Sequence, residues 1–201
     1  LSVLTTVRRR PRALGLLEAL LREHPDDPGL LAKVGTLHHR IGRLQAETDR
    51  AVEADASYRI AIDRLEAALR ADGLSEAGRR LFAHNLSVAN NNLANLLRHA
   101  GRVADAERLY RRSIALLEPE KGRTDPDGLA LGELGMVYSN LGALTLLAGS
   151  AREAQPLFAD AERVYDAAER AGGSRDLPWH RARHDLEYGE WLLVAARNDE
   201  A

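Results

Sequence analysis

Ala89-Asn-Asn-Asn-Leu-Ala-Asn-Leu-Leu-Arg-His-Ala-Gly-Arg-Val-Ala-Asp-Ala-Glu-Arg-Leu-Tyr-Arg-Arg-Ser-Ile-Ala-Leu-Leu-Glu-Pro119 reads as helix, tight turn, helix and stop. Large apolar residues (Leu93, Leu97, Tyr110, Ile114, Leu117) recur at helical spacing. Small ones (Ala94, Gly101, Ala106, Ser113) fall between them, where two helices are expected to touch. Gly101 to Ala106 is five residues, Ala106 to Tyr110 four, and Tyr110 to Ser113 three.

The same spacing recurs. Leu141-Gly142 stands in for Leu93-Ala94, and Gly149, Ala154, Phe158 and Ala161 repeat the five-four-three interval. A further copy starts at Val34-Gly35, reaches Gly42, and resumes at Ala54, Tyr58 and Ala61. Twelve residues separate Gly42 from Ala54 instead of five, so seven residues are expected to be inserted there. Seven residues are two helical turns, which lengthen a helix and roughly keep its apolar face. The second helix of that copy is accordingly expected to be long, running through Leu44, Thr48 and Ala51 to Leu69. Tyr188-Gly189 opens another copy, with Ala196 at the place of Gly101, and Leu16, Ala19 and Pro25 look like the second helix of an earlier one.

This pattern resembles the tetratricopeptide repeat, a helix-turn-helix unit of about 34 residues. The Asn91-Asn92-Leu93-Ala94 and Glu153-Ala154-Gln155-Pro156-Leu157-Phe158 segments are most similar to the kinesin-light-chain type. The stretches Leu93–Arg102 and Ala106–Glu118 also resemble repeats in the C-terminal regions of large bacterial serine/threonine protein kinases. The resemblance implies an all-α, right-handed α-solenoid of antiparallel helix pairs. It also implies a non-catalytic protein–protein interaction module that takes a peptide or protein partner in a concave groove. The alternatives are a regulatory region of such a kinase, or the sensor domain of a transcription regulator. We expect one domain over 1–201: a partial repeat at 12–28, repeats at 29–73, 75–121 and 126–173, and a truncated repeat at 176–201. The unfinished last copy and a start at Leu1 lead us to expect a piece of a longer protein.

Composition narrows the function classes. Hydrophobic residues make up 45% of the chain and aromatics only 4%, which suits Ala/Leu helices packed through small residues. No period-two, β-branched run appears, so no strand is expected. Cys is absent, which excludes disulfides and thiolate metal sites. A formal net charge of −2 gives no general attraction to nucleic acid. No stretch of 18 apolar residues exists, so no membrane-spanning segment is expected. The expected location is cytoplasmic.

In the geometry the resemblance implies, ligand-facing residues lie two before and two after the Leu of the Leu-Gly pair, and again one turn on. Those are Asn91, Asn95, Arg98 and His99; Thr36, His39 and Arg40; and Ser139. Asn91 and Asn95 are four apart and share a helix face. A carboxamide both donates and accepts, so it can hold the backbone of an extended peptide. A solvated face, or hydrogen bonds between neighbouring helices, explains the same residues without a ligand. Asn90 and Asn92 are weaker candidates. The carboxylate clamp of some family members is not carried over, because Ala32 and Thr36 occupy its places.

Catalytic readings fail. His180 and His184 have metal-compatible spacing, but Arg181 stands where a metalloprotease needs Glu, and no third ligand is evident. Gly132, Gly135 and Gly142 follow no strand and precede no Gly-Lys-Ser/Thr, so they read as close-packing sites between helices. Trp179 and Trp191 are expected to pack against the last repeat. No catalytic residue, metal or cofactor is expected, and a homodimer through the terminal helices is a further expectation.

Overall fold

The computed structural model describes residues 3–199, with side chains described over 13–195. Among these residues there are eight α-helices and no strand. They are α1 (Val3–Glu23), α2 (Pro28–Ala46), α3 (Ala51–Leu69), α4 (Glu76–His99), α5 (Val103–Leu117), α6 (Gly128–Leu147), α7 (Ala151–Arg170) and α8 (Leu177–Asp199). A short 3-10 segment, Glu118–Gly122, follows α5. The fold divides into two compact units, Leu1–Leu96 and Leu97–Ala201.

Local chemistry sets the helix starts. Asp27 caps α2 by accepting from Leu30 N at 2.8 Å, with Pro28 next in the first turn. Asp127 caps α6 in the same way, accepting from Leu129 N at 2.9 Å.

The stops share one geometry. Gly101, Gly149 and Gly172 have φ of 73°, 84° and 79°, in the left-handed region that costs glycine least. Around Gly101, Arg102 N donates to Leu97 O at 2.9 Å and Gly101 N donates to Arg98 O at 3.0 Å, the paired bonds of a Schellman stop. Gly101 is therefore a turn residue and not a helix contact: a Cβ built there would meet nothing within 4 Å.

Asp49 makes the same stop. Its φ is 57°, and Arg50 N donates to Gln45 O at 2.9 Å. This overturns the expected insertion. The turn falls at Asp49, five residues before Ala54, and no long helix runs through Thr48. Gly42 is then the counterpart of Ala94 and Gly142, and Gly35 that of Ser87 and Gly135. The pattern missed the turn because Asp, which enters the left-handed region at some cost, stands where the other copies have Gly.

In the first unit, α1 packs on α2 and α2 on α3. Two glycines on α2 let α3 approach closely. A Cβ at Gly42 would lie 2.8 Å from the Tyr58 ring, and one at Gly35 would lie 2.8 Å from Leu65 Cγ. The second unit repeats the device on α6 and α7: a Cβ at Gly142 would lie 2.9 Å from the Phe158 ring, and one at Gly135 would lie 2.7 Å from Tyr165. The ring sits 16 residues after the glycine in both pairs. Tyr110 stands at the same interval from Ala94 and is fully buried.

α6 packs against α5, α7 and α8. Glu133 is its one charged residue, as expected for a helix enclosed on several sides. Its core includes Leu131, Leu134, Tyr138, Ala161, Val164, Tyr165 and Leu177. A second cluster forms from Ala154, Phe158 and Trp191, whose Nε1 donates to Ala151 O at 2.6 Å. Trp191 thus packs on the preceding pair, whereas Trp179 is 62% exposed.

Two elements differ from the sequence expectation. α1 begins at Val3, ahead of the expected Arg12, and α8 continues to Asp199 where a turn at Ala196 was expected. The final expected positions, Glu200 and Ala201, lie outside the described residues.

Candidate binding grooves

Thr36 and Arg40 line an apolar groove in the first unit, with a volume of about 500 Å³. Its walls come from Leu17 on α1, Ala32 and Leu37 on α2, and Leu81 and Phe82 on α4. Lys33 and Arg40 stand on its rim, both exposed and seven residues apart on α2. Seven residues are about 10 Å along a helix axis. Neither cation has an ion pair among the described residues, and no carboxylate lines the groove.

His39 lies on the same helix but outside this lining. It is half-buried, and its Nε2 sits 2.7 Å from Asn92 Nδ2. Burial, helped by Arg43 and Arg40, lowers its pKa to about 4. The ring is therefore neutral near pH 7, and Nε2 accepts from the Asn92 amide. Asn92, a weaker candidate in the sequence, is thus the carboxamide that holds His39.

Asn91 is 1% exposed and Asn90 0%, so the middle of the Asn run is enclosed. Asn95 is half-buried one turn further along α4. Both Asn91 and Asn95 have polar partners.

In the second unit, Arg98 is half-buried and hydrogen-bonds the Tyr110 side chain, while His99 is exposed. Ser139 is fully buried. Its hydroxyl donates to Gly135 O at 3.1 Å, and its oxygen lies 2.9 Å from His184 Nδ1. His184 is itself buried among rings, 5.5 Å from Tyr165 and stacked on Tyr188 at 6.0 Å. Burial lowers its pKa, with Asp185 and Glu162 opposing. His184 is therefore a packed core histidine. Among the described residues no group of acidic and His side chains could hold a metal ion.

Sequence reasoning missed a polar row on α6 and α8. Arg183 donates to Asn140 Oδ1 at 3.0 Å and lies 3.6 Å from Glu187. Burial raises the Glu187 carboxyl above its usual range, while Arg183 and Arg98 pull it back. The polar residues at i, i+4 on α8 carried a signal, but only packing shows that Arg183 and Glu187 face α6. Leu147, Leu186 and Leu193 are exposed in this unit at 73%, 65% and 66%.

Among the described residues, no helix is long and apolar enough to cross a membrane. No curated protein gives a significant match to the sequence. Among solved structures, the crystal structure of BtubC (BKLC) from P. vanneervenii is similar over 80% of this chain, with a TM-score of 0.54 and 21% identity. The chain spans 58% of the length of that structure, and at this identity the likeness speaks for the fold. The family match falls on residues 85–167, which include the stretch quoted at the outset and the copy after it. Over those residues the chain is similar to the tetratricopeptide-repeat family.

Proposed function

We propose that this chain is a protein–protein interaction module that holds a peptide segment of a partner in the groove between α1, α2 and α4. The observation carrying this reading is the groove itself: an apolar floor of about 500 Å³ under two exposed cations with no ion-pair partner among the described residues. Apolar concavities with a few placed polar groups are what ligands occupy. Thr36 and Arg40 contribute directly, and His39, held by Asn92, stands on the same helix. In the second unit the exposed His99 supplies a polar group to a partner chain.

Selecting peptides from a random display library on the full chain tests the proposal. Binders should lose affinity at least tenfold against Thr36→Trp, which fills the groove, and less against Arg40→Ala. Binders that ignore Thr36→Trp would move the site elsewhere. The resemblance of the α4–α5 stretches to repeats found in large bacterial kinases makes a regulatory region of such a kinase, or the sensor domain of a transcription regulator, the alternative setting for the same binding role.

A further inference from the structure

A second groove of the first unit opens on another side of α2, between α1 and α3, with a volume of about 790 Å³. It shares no lining residue with the groove described above. Its walls come from α1, α2, α3 and the turn between α1 and α2, so it is interior to the chain and not an end face. Each helix contributes two residues one turn apart: Glu18 and Arg22 from α1, Val34 and His38 from α2, Ile60 and Arg64 from α3. Residues four apart share a helix face. Val34 and Leu21 are buried and form an apolar floor, and Ile60 is 39% exposed beside them.

The charges along this groove are unbalanced. Glu18 precedes Arg22 by four residues, the order that favours an ion pair on a helix. The Glu18 carboxylate lies instead 3.7 Å from His38 Nε2. Arg22 and Arg64 are both exposed, and neither has an ion pair among the described residues. Burial outweighs Glu18 and, with Arg64 adding to it, lowers the His38 pKa, so that ring is neutral near pH 7. Arg22 and Arg64 therefore give two positive charges against the one negative charge of Glu18, and one positive charge is left over.

Small ligands occupy concave sites of about 300–1,000 Å³ that have apolar walls and a few placed polar groups. A guanidinium pairs with a planar carboxylate through two parallel N–H···O bonds. A carboxylate carries a single negative charge and matches the excess. A phosphate monoester, at about −1.5 to −2 near pH 7, overshoots it. We propose that this groove binds a small monocarboxylic acid with an apolar body, the body lying against Leu21, Val34 and Ile60 and the carboxylate taken by Arg22 and Arg64. The site is additional to the peptide groove and stands or falls independently of the function proposed above.

The probe is octanoate, titrated into the full chain by isothermal titration calorimetry, with octanamide and octyl phosphate as matched ligands. Saturable binding of octanoate is expected, at least about tenfold tighter than that of octanamide, which keeps the body and loses the charge. Arg22→Gln and Arg64→Gln should each weaken it about tenfold. Both side chains are exposed, so these variants keep the fold, which far-UV circular dichroism checks. Bound octanoate should also raise the pH at which the His38 ring protonates, followed by NMR, because a nearby negative charge favours the imidazolium. Thr36→Trp should leave octanoate binding unchanged, since Thr36 lines the other groove. Absence of saturable binding, binding lost on Thr36→Trp, or binding indifferent to both Arg variants overturns the proposal. So does tighter binding of octyl phosphate, or of an N-acetylated apolar tripeptide with a free C-terminus, because it would assign the groove to a phosphate or to a peptide end.

Discussion

Gly142→Ala and Gly189→Ala form a matched pair whose stability changes should have opposite signs. Both glycines lie inside helices at the same repeat position, so both substitutions gain the same intrinsic helix propensity, about 1 kcal/mol. They differ in what the new methyl group meets. At Gly142 it would fall 2.9 Å from Cε1 of Phe158 and 3.1 Å from Cδ1. That is the side of a fully buried ring, held in a cluster with Ala154 and Trp191, and not the end of a flexible chain. Overpacking of this kind costs about 1–3 kcal/mol, so the net change at Gly142 runs from near zero to about 2 kcal/mol of destabilisation. At Gly189 the methyl meets nothing within 4 Å, and the propensity gain of up to about 1 kcal/mol is retained. The two variants should thus differ by about 1–3 kcal/mol. Urea unfolding followed at 222 nm measures both, with the m-value checked for constancy. Equal stability of the two variants, or a more stable Gly142→Ala, would refute the idea that these glycines exist to admit rings from the paired helix.

Further outcomes follow from the same geometry. Phe158→Ala should destabilise the second unit by about 3–5 kcal/mol, measured by thermal unfolding, because a fully buried ring leaves a cavity. Asp49→Gly should stabilise the chain by about 1 kcal/mol in a urea titration, since Gly takes the left-handed turn without the Cβ penalty. His39, neutral when folded with a pKa lowered to about 4, binds a proton more readily when unfolded. Its contribution is therefore fully retained above pH 6.5 and lost as pH falls toward 4, by at most about 3 kcal/mol. His39→Gln should flatten that part of a stability–pH curve, and an unchanged slope would contradict the buried, Asn92-held ring.

The groove shows how an error in register can leave a face intact. Matching Gly35 to Ala94 puts Thr36 and Arg40 on the ligand-facing side, whereas Gly42 is the counterpart of Ala94 in the structure. The shift is seven residues, or two helical turns, so the chosen residues still lie on nearly the same side of α2. His39 survives both registers, because it corresponds to Asn91 and Ser139 once Gly42 is aligned. Asn91 and Ser139 share that position yet are buried, which spacing along one helix could not reveal.

Small and large residues at fixed intervals were enough to specify helices, their pairing and most of their stops, because these depend on contacts within or between adjacent segments. Asp27 and Asp127 cap their helices through amides two or three residues on, and Gly101, Gly149 and Gly172 take their turns through local backbone geometry. Tertiary structure decided the rest. Asp49 takes a glycine's place in a turn, Asn92 and His39 meet across 53 residues of sequence, and Arg183 swings onto Asn140. It also decided which repeat faces are filled, as by Tyr58 over Gly42 and Phe158 over Gly142. Burial and hydrogen bonding between distant segments depend on how helices stack, and a one-dimensional period carries the phase of each helix but not the neighbours it will meet.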